Sequence, residues 1–152
     1  MRLTRAGEYA VRCVLYLSRQ GEGVLVSRQE VATATDTPTQ FLAKIAQQLA
    51  KAGIIEIVQG AKGGYRLLRS PATITLLEVI EIIIGEIYLN DCVARPSSCR
   101  RNSSCTVHRV WLQAREQLRA TLAAVTFADL LVDECHCLEP VVKEHSRGQD
   151  EG

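Results

Sequence analysis

Apolar residues recur at Ala6, Tyr9, Ala10, Cys13, Val14 and Leu17, the spacing of one helix face, so a helix is predicted from Thr4 to about Leu17. Gly21 and Gly23 end it, and Val24-Leu25-Val26 reads as a short strand. Ser27-Arg28-Gln29-Glu30 is a capping-box sequence, in which Ser27 accepts from the Glu30 N–H while Glu30 reaches back. It predicts a short helix to about Thr33. Asp36 marks a turn, and Thr37-Pro38-Thr39-Gln40 is a second start, with Thr37 as N-cap and Pro38 at the first helical position. That helix runs to about Ala52 and is stopped by Gly53. Its expected buried face is Phe41, Leu42, Ile45 and Leu49. The opposite face carries Thr39, Gln40, Ala43, Lys44, Gln47, Gln48 and Lys51, with no acid among them.

Ile54 to Val58 then reads as a strand and Tyr65 to Leu68 as its partner. A glycine-rich loop, Gln59-Gly60-Ala61-Lys62-Gly63-Gly64, joins them with a lysine at its tip. Three helices and a hairpin in this order are the pattern of a winged helix-turn-helix. The alternative is a plain hairpin with a mobile loop. After the break at Ser70-Pro71, a second capping box, Thr75-Leu76-Leu77-Glu78, opens a helix ended by Gly85 and so apolar, through Ile84, that it must be buried on several sides. Residues 86–104 form a polar loop. A long helix follows from about Cys105 to Ala124, with an apolar stripe of Val107, Val110, Trp111, Ala114, Leu118, Thr121, Leu122 and Val125. The stripe lacks an obvious partner in so small a chain and reads as a dimerisation surface; the alternative is a lid on the winged unit. A short final helix is expected over Thr126 to Leu131.

The fold class is therefore mostly α with a small β-hairpin: a winged helix-turn-helix plus a long C-terminal dimerisation helix. Residues 1–70 are expected to form the winged helix-turn-helix unit, which would bind DNA, 71–131 the cluster-binding cysteine loop and dimerisation helices, and 132–152 an acidic, disordered tail.

Composition refines this picture. The 152 residues are 47% apolar and 23% charged, with 4 Pro and 10 Gly, which excludes collagen-like and largely disordered chains. The net charge of +1 hides an asymmetry. Residues 1–70 carry 10 Lys+Arg against 5 Asp+Glu, whereas residues 132–152 carry 2 against 6. A basic first half suits a polyanion such as double-stranded DNA. No apolar run approaches the ~18 residues of a membrane span, and charge at Arg5, Glu8 and Arg12 argues against a signal peptide. A cytoplasmic protein without a membrane partner is expected. No nucleophile–base arrangement suggests an enzyme. Gly60 to Gly64 precedes a strand, not a helix, so it is no phosphate-binding P-loop.

Six cysteines in such a chain point to metal or redox chemistry rather than disulfides. Cys13 lies on a helical apolar face and reads as core. Cys92-x6-Cys99-x5-Cys105-x2-His108 is the most specific chemical feature. Thiolates are soft ligands for iron–sulfur clusters, zinc or copper(I). Structural zinc prefers a C-x2–4-C knuckle, which neither gap matches, while an open loop suits a cluster. His108 follows Cys105 by three residues, so both can face one side of a first helical turn. Arg95, Arg100 and Arg101 partly offset the anionic charge of such a site. Zinc, a thiol switch and unrelated buried cysteines are the alternatives. An electron carrier is disfavoured because it needs neither a basic helix face nor a wing. Cys135 and Cys137 read as exposed thiols of the acidic tail.

Taken together, Met1-Arg2-Leu3-Thr4, Tyr9-Ala10-Val11, Gly53-Ile54-Ile55, Gly60-Ala61-Lys62-Gly63-Gly64-Tyr65 and Thr73 to Ile80 resemble the Rrf-type winged-helix regulators, the family of IscR, NsrR and RirA. The resemblance covers about residues 1–131. It implies a homodimeric transcription regulator, usually a repressor, whose DNA affinity follows the state of one iron–sulfur cluster per subunit. It places Cys92, Cys99 and Cys105 on the family's cysteine ligands and His108 on the fourth ligand of members holding [2Fe–2S]. Glu8 falls where other members supply an acidic ligand from the partner subunit, and [4Fe–4S] is the alternative cluster. The first cysteine gap of six departs from the family's usual five or seven. Gln59 and Ala43 stand where relatives often have an arginine and an acid in contact with DNA.

The helix beginning at Thr37 is expected to lie in the major groove, with the wing on the neighbouring backbone or minor groove. Gln40 suits bidentate pairing with adenine, and Ala43 can touch only a thymine methyl. Lys44, Lys51, Lys62 and Arg66 are expected on phosphates. Arg2, Ser27, Thr37, Thr39, Phe41, Gln59 and Gly60 complete the candidate DNA-contacting set.

Overall fold

A computed structural model describes residues 3–137, with side chains described through Asp133. Helix α1 spans Arg5–Gln20. The Thr4 hydroxyl accepts from the Gly7 N–H at 3.2 Å, and the Gly21 N–H donates back to the Leu17 carbonyl at 3.1 Å. Helix α2 spans Arg28–Ala34 and α3 spans Thr39–Lys51. Strands β1, Ile55–Val58, and β2, Gly64–Leu67, pair antiparallel with Ile57 opposite Tyr65. Helix α4 covers Leu76–Ile84, and a short α5, Asp91–Ala94, sits inside the cysteine loop with a 3-10 turn at Pro96–Ser98. Helix α6 runs Thr106–Ala123 and α7 runs Phe127–Cys137. This is the mostly helical winged fold that the apolar pattern predicts.

Several local expectations are corrected. Thr37 does not cap α3: Pro38 holds the N-cap position without a side-chain hydrogen bond. The Thr37 hydroxyl instead accepts from the Thr35 hydroxyl at 2.9 Å, and the residue is buried. Phe41 is not on the buried face but 51% exposed, its ring 6.0 Å from that of Tyr9. The inward face of α3 is Leu42, Ile45, Ala46 and Leu49. Two capping boxes are half made. Ser27 and Thr75 accept from the N–H of Glu30 and Glu78 as expected. The carboxylates turn elsewhere, Glu30 accepting from the Tyr16 hydroxyl at 2.7 Å and Glu78 pairing with Arg69 at 2.6 Å. Val24 to Val26 forms no strand, only an isolated bridge from Val26 to Tyr65. Helix α4 buries only Val79 and Ile80 fully; its other apolar residues are half-exposed. Helix α7 continues to Cys137, beyond the expected end at Leu131. The rest of the acidic tail, residues 138–152, and Arg2 lie outside the described residues.

One buried core joins the winged unit to the C-terminal helices. Ala10, Cys13, Val14 and Leu17 of α1 meet Leu42 and Leu49 of α3, Ile55 and Leu67 of the hairpin, Val79 of α4 and Phe127 of α7. Burial pushes the Cys13 thiol up to about 12, so it is an inert core group at neutral pH. The end of α6 is clipped to the start of α4: the Leu76 N–H donates to the Val125 carbonyl at 2.9 Å and the Phe127 N–H to Ile74 at 3.0 Å. Thr126 and Asp129 complete a reciprocal capping box there.

The hairpin is held to the helices through Val26. Its N–H donates to the Tyr65 carbonyl at 2.9 Å and its carbonyl accepts from the Tyr65 N–H at 2.8 Å. Next to this exchange, a Cβ on Gly64 would lie 1.9 Å from the Val26 carbonyl oxygen. Gly64→Ala must therefore separate the two segments. The expected loss is at least ~2 kcal/mol, since overpacking costs typically ~1–3 kcal/mol and each lost hydrogen bond adds about one. Urea unfolding checks this; an unchanged midpoint would show that the bridge gives way at no cost.

Candidate nucleic-acid interface and cysteine loop

The α3 face away from the core presents Thr39, Gln40, Ala43, Lys44, Gln47, Gln48 and Lys51, all exposed. Phe41 joins them at the α3 N-terminus, and Lys62 and Gly60 are exposed at the wing tip. The wing turns between Gly60 (φ 103°) and Gly63, whose N–H donates to the Gly60 carbonyl at 3.0 Å. A Cβ on Gly63 would meet the Val58 carbonyl oxygen at 2.1 Å, so this tight return needs glycine. Ala43 and Gln47 of the α3 face share one hollow with Ile57, Gln59 and Tyr65 of the hairpin, while Lys62 and Gly60 are exposed at the wing tip. Arg66 is less available: its Nε lies 2.6 Å from Glu56 Oε2 across the hairpin. That pair is close but misaligned, because Arg66 Nε has no hydrogen-bond partner. Thr37 is buried beneath the turn, away from this surface.

Sequence reasoning missed Arg28. Its Nη2 donates to Gln59 Oε1 at 3.0 Å and its guanidinium lies 5.9 Å from the Tyr65 ring centre, bridging α2 to the base of the wing. Its place directly after the cap residue Ser27 was the available signal.

In the cysteine loop, Cys92 sits in α5 with its thiol donating to Asn90 Oδ1 at 3.4 Å. Cys99 follows the 3-10 turn and Cys105 is the N-cap of α6. All three are free thiols and half-buried. His108 lies in the first turn of α6, and its Nδ1 is buried without a hydrogen-bond partner. Among the described residues no three His, Cys, Asp or Glu side chains converge as a metal group. Glu8 is exposed on the first turn of α1, beside a hollow lined by Leu3, Thr4 and Arg5.

A second feature the sequence did not announce anchors this loop. Arg119 grips Glu81 of α4 in bidentate fashion at 2.9 and 3.0 Å. Arg115 donates to the Ile87 carbonyl at 2.8 Å, pairs with Glu86 and stacks over Tyr88. The Tyr88 hydroxyl and the two guanidiniums hold the Glu86 carboxyl below the usual range. The loop entrance is thus tied to α6, and α6 to α4.

A family model described as "Rrf2: Iron-dependent Transcriptional regulator" matches residues 3–133. The chain belongs to the Rrf2 family. Among similar relatives, the HTH-type transcriptional regulator NsrR of Geobacillus kaustophilus is 32% identical over 145 residues, covering 95% of this chain and 98% of that protein. NsrR of Shouchella clausii is 31% identical, covering 88% and 91%. Among solved structures, IscR of T. potens superposes with a TM-score of 0.70 at 24% identity, covering 91% of this chain and 92% of that one. The oxidized form of Staphylococcus aureus CymR gives 0.67 at 24%, covering 86% and 95%. These two show the shared winged fold. As an Rrf2-family member the chain is a transcriptional regulator that binds DNA, not an enzyme. No helix among the described residues is long and apolar enough to cross a membrane.

Proposed function

We propose that this Rrf2-family regulator is a cytoplasmic homodimeric repressor whose affinity for DNA is set by an iron–sulfur cluster on Cys92, Cys99 and Cys105, with His108 as the fourth ligand. The observation that carries the reading is the buried, unpartnered Nδ1 of His108, one helical turn beyond Cys105. A buried ring nitrogen left unpaired costs about 1–3 kcal/mol, and such a group calls for an explanation, an absent ion among them. Three half-buried free thiols on the same short stretch supply the soft donors that iron–sulfur clusters take. The residues present therefore fit the group. The resemblance of His108 to the fourth ligand of [2Fe–2S] members favours that cluster; Glu8 is the alternative fourth ligand and [4Fe–4S] the alternative cluster.

When bound, the cluster supplies iron whose oxidation state and ligands respond to redox conditions, iron supply or nitric oxide. The chain's own part is mechanical. Cys99 and Cys105 lie between α5 and α6, and Arg115 and Arg119 join α6 to the loop entrance and to α4. Helix α4 packs on both α1 and α3. A rearrangement of the thiol loop therefore bears on α4, and through it on the angle at which α3 meets DNA.

The test is the protein purified without oxygen. Visible absorption bands with iron and inorganic sulfide in the same preparation, and a DNA affinity that changes when a chelator strips the iron, are the expected results. Zinc without sulfide, or DNA affinity indifferent to the metal, overturns the reading.

A further inference from the structure

We propose that the hollow between α3 and the wing seats one phosphate of the DNA backbone, with Arg28 as its cation. The proposal deepens the DNA-binding reading and rests on it. The hollow has a volume of about 240 Å³ and is lined by Arg28, Ala43, Gln47, Ile57, Gln59 and Tyr65. It holds one cation and two side-chain amides, with no carboxylate in its lining. Arg28 is exposed and makes no ion pair among the described residues, whereas Arg66, Arg69, Arg115 and Arg119 all do.

The bond between Arg28 and Gln59 fixes what the hollow offers. Arginine only donates, so Gln59 must present its oxygen to Arg28, which leaves the amide nitrogen as a donor. One of five guanidinium N–H groups is used in that bond. Both side chains thus retain N–H donors at the hollow, the donor set that phosphate oxygens require. Ala43 and Ile57 add apolar wall, suited to the deoxyribose beside a phosphate.

DNA geometry supplies the occupant. Major and minor grooves are separated by a single sugar–phosphate strand. A protein with a helix in one groove and a wing in the next must straddle that strand, and the hollow lies where α3 and the wing meet. Arg28 then has two tasks: it neutralises the phosphate, and through Gln59 it sets the spacing between the helix-turn-helix and the wing.

The experiment uses anaerobically purified, full-length protein. Wild type selects its operator from a random-sequence duplex pool, and binding of the labelled operator is followed by fluorescence anisotropy. Methylphosphonates then neutralise its phosphates one at a time. With wild type, one position in each half-site is expected to cost about tenfold or more, the size of a charge-assisted hydrogen bond. With Arg28→Ala, neutralising that position should cost almost nothing further, the non-additivity of two groups in contact. The dependence of log affinity on log salt should fall by about 0.9 for each subunit bound. Arg28→Lys should keep the salt dependence while losing part of the affinity, since lysine cannot hold Gln59 as a planar fork does. Thermal melting confirms that the variants are folded. An Arg28→Ala scan identical to wild type at every phosphate, with unchanged salt dependence, overturns the seat while the DNA-binding reading stands. A wild-type protein that enriches no sequence and binds DNA without salt dependence overturns both.

Discussion

Replacing Cys92, Cys99 or Cys105 by alanine, one at a time, is expected to remove the visible absorbance and the iron from anaerobically purified protein. In the proposed site the three thiolates are the soft ligands that hold the iron, so losing any one of them should release the cluster to solvent or chelator. The folded scaffold should survive: all three residues are only half-buried, and none belongs to the core around α1 and α3. Far-ultraviolet circular dichroism should therefore be unchanged. DNA affinity should shift to that of the cluster-free state, by about 5- to 150-fold if the coupling has the usual size for two linked sites. His108→Ala is a sharper probe, because it leaves three thiolates in place. It should move the visible bands rather than abolish them. Identical bands would assign the fourth position elsewhere, with Glu8→Ala the next variant to measure. Full iron retention in all three cysteine variants would refute the cluster assignment.

The order of the longer helices was legible because they announce themselves locally, whereas the short α5 lies within residues expected to form a polar loop. Ser27 and Thr75 cap as their spacing predicts, Thr4 caps the helix expected to begin with it, and Gly21 and Gly85 terminate helices where the apolar period stops. Most of the failures share one physical cause: a side chain able to act locally was taken by a partner distant in sequence or turned inward. Glu30 prefers the Tyr16 hydroxyl and Glu78 prefers Arg69, so neither completes its capping box. Thr37 is drawn into the buried turn by Thr35, and α3 starts at Thr39 without it. Phe41 follows the helical period but sits in the first turn of α3, where it remains half-exposed beside the Tyr9 ring. The candidate site divides in the same way. The basic α3 face and the cysteine spacing are local patterns and could be read directly. The Arg28–Gln59 bridge spans the gap between α2 and the wing, and the Arg115–Arg119 clamp reaches from α6 back to Glu81 and Glu86. Both require the tertiary fold before they exist.

Val110→Glu is expected to convert a dimer into a folded monomer. Helix α6 contains no fully buried residue. Val107 is 50% exposed, Val110 58% and Trp111 40%, on consecutive turns of one stripe. A lid over the winged unit would hide those side chains, so the lid alternative leaves them unexplained, and a second copy of α6 is the proposed cover. Burying a large apolar side chain stabilises by roughly 1.5–3 kcal/mol. A carboxylate at the same place forfeits this and adds the cost of an unpaired charge at an interface, several kcal/mol more. Two copies of the substitution, one on each subunit, double the effect. Val110 is a better probe than Leu118, which is half-buried within its own chain and whose loss would also unsettle the fold. Sedimentation at micromolar concentration should give a dimer for wild type and a monomer for Val110→Glu, with matching circular dichroism. The monomer should bind a single half-site weakly, because the entropy shared across two linked half-sites is lost. A wild-type protein that sediments as a monomer at that concentration would refute the dimer, and the exposed stripe on α6 would then need a different partner.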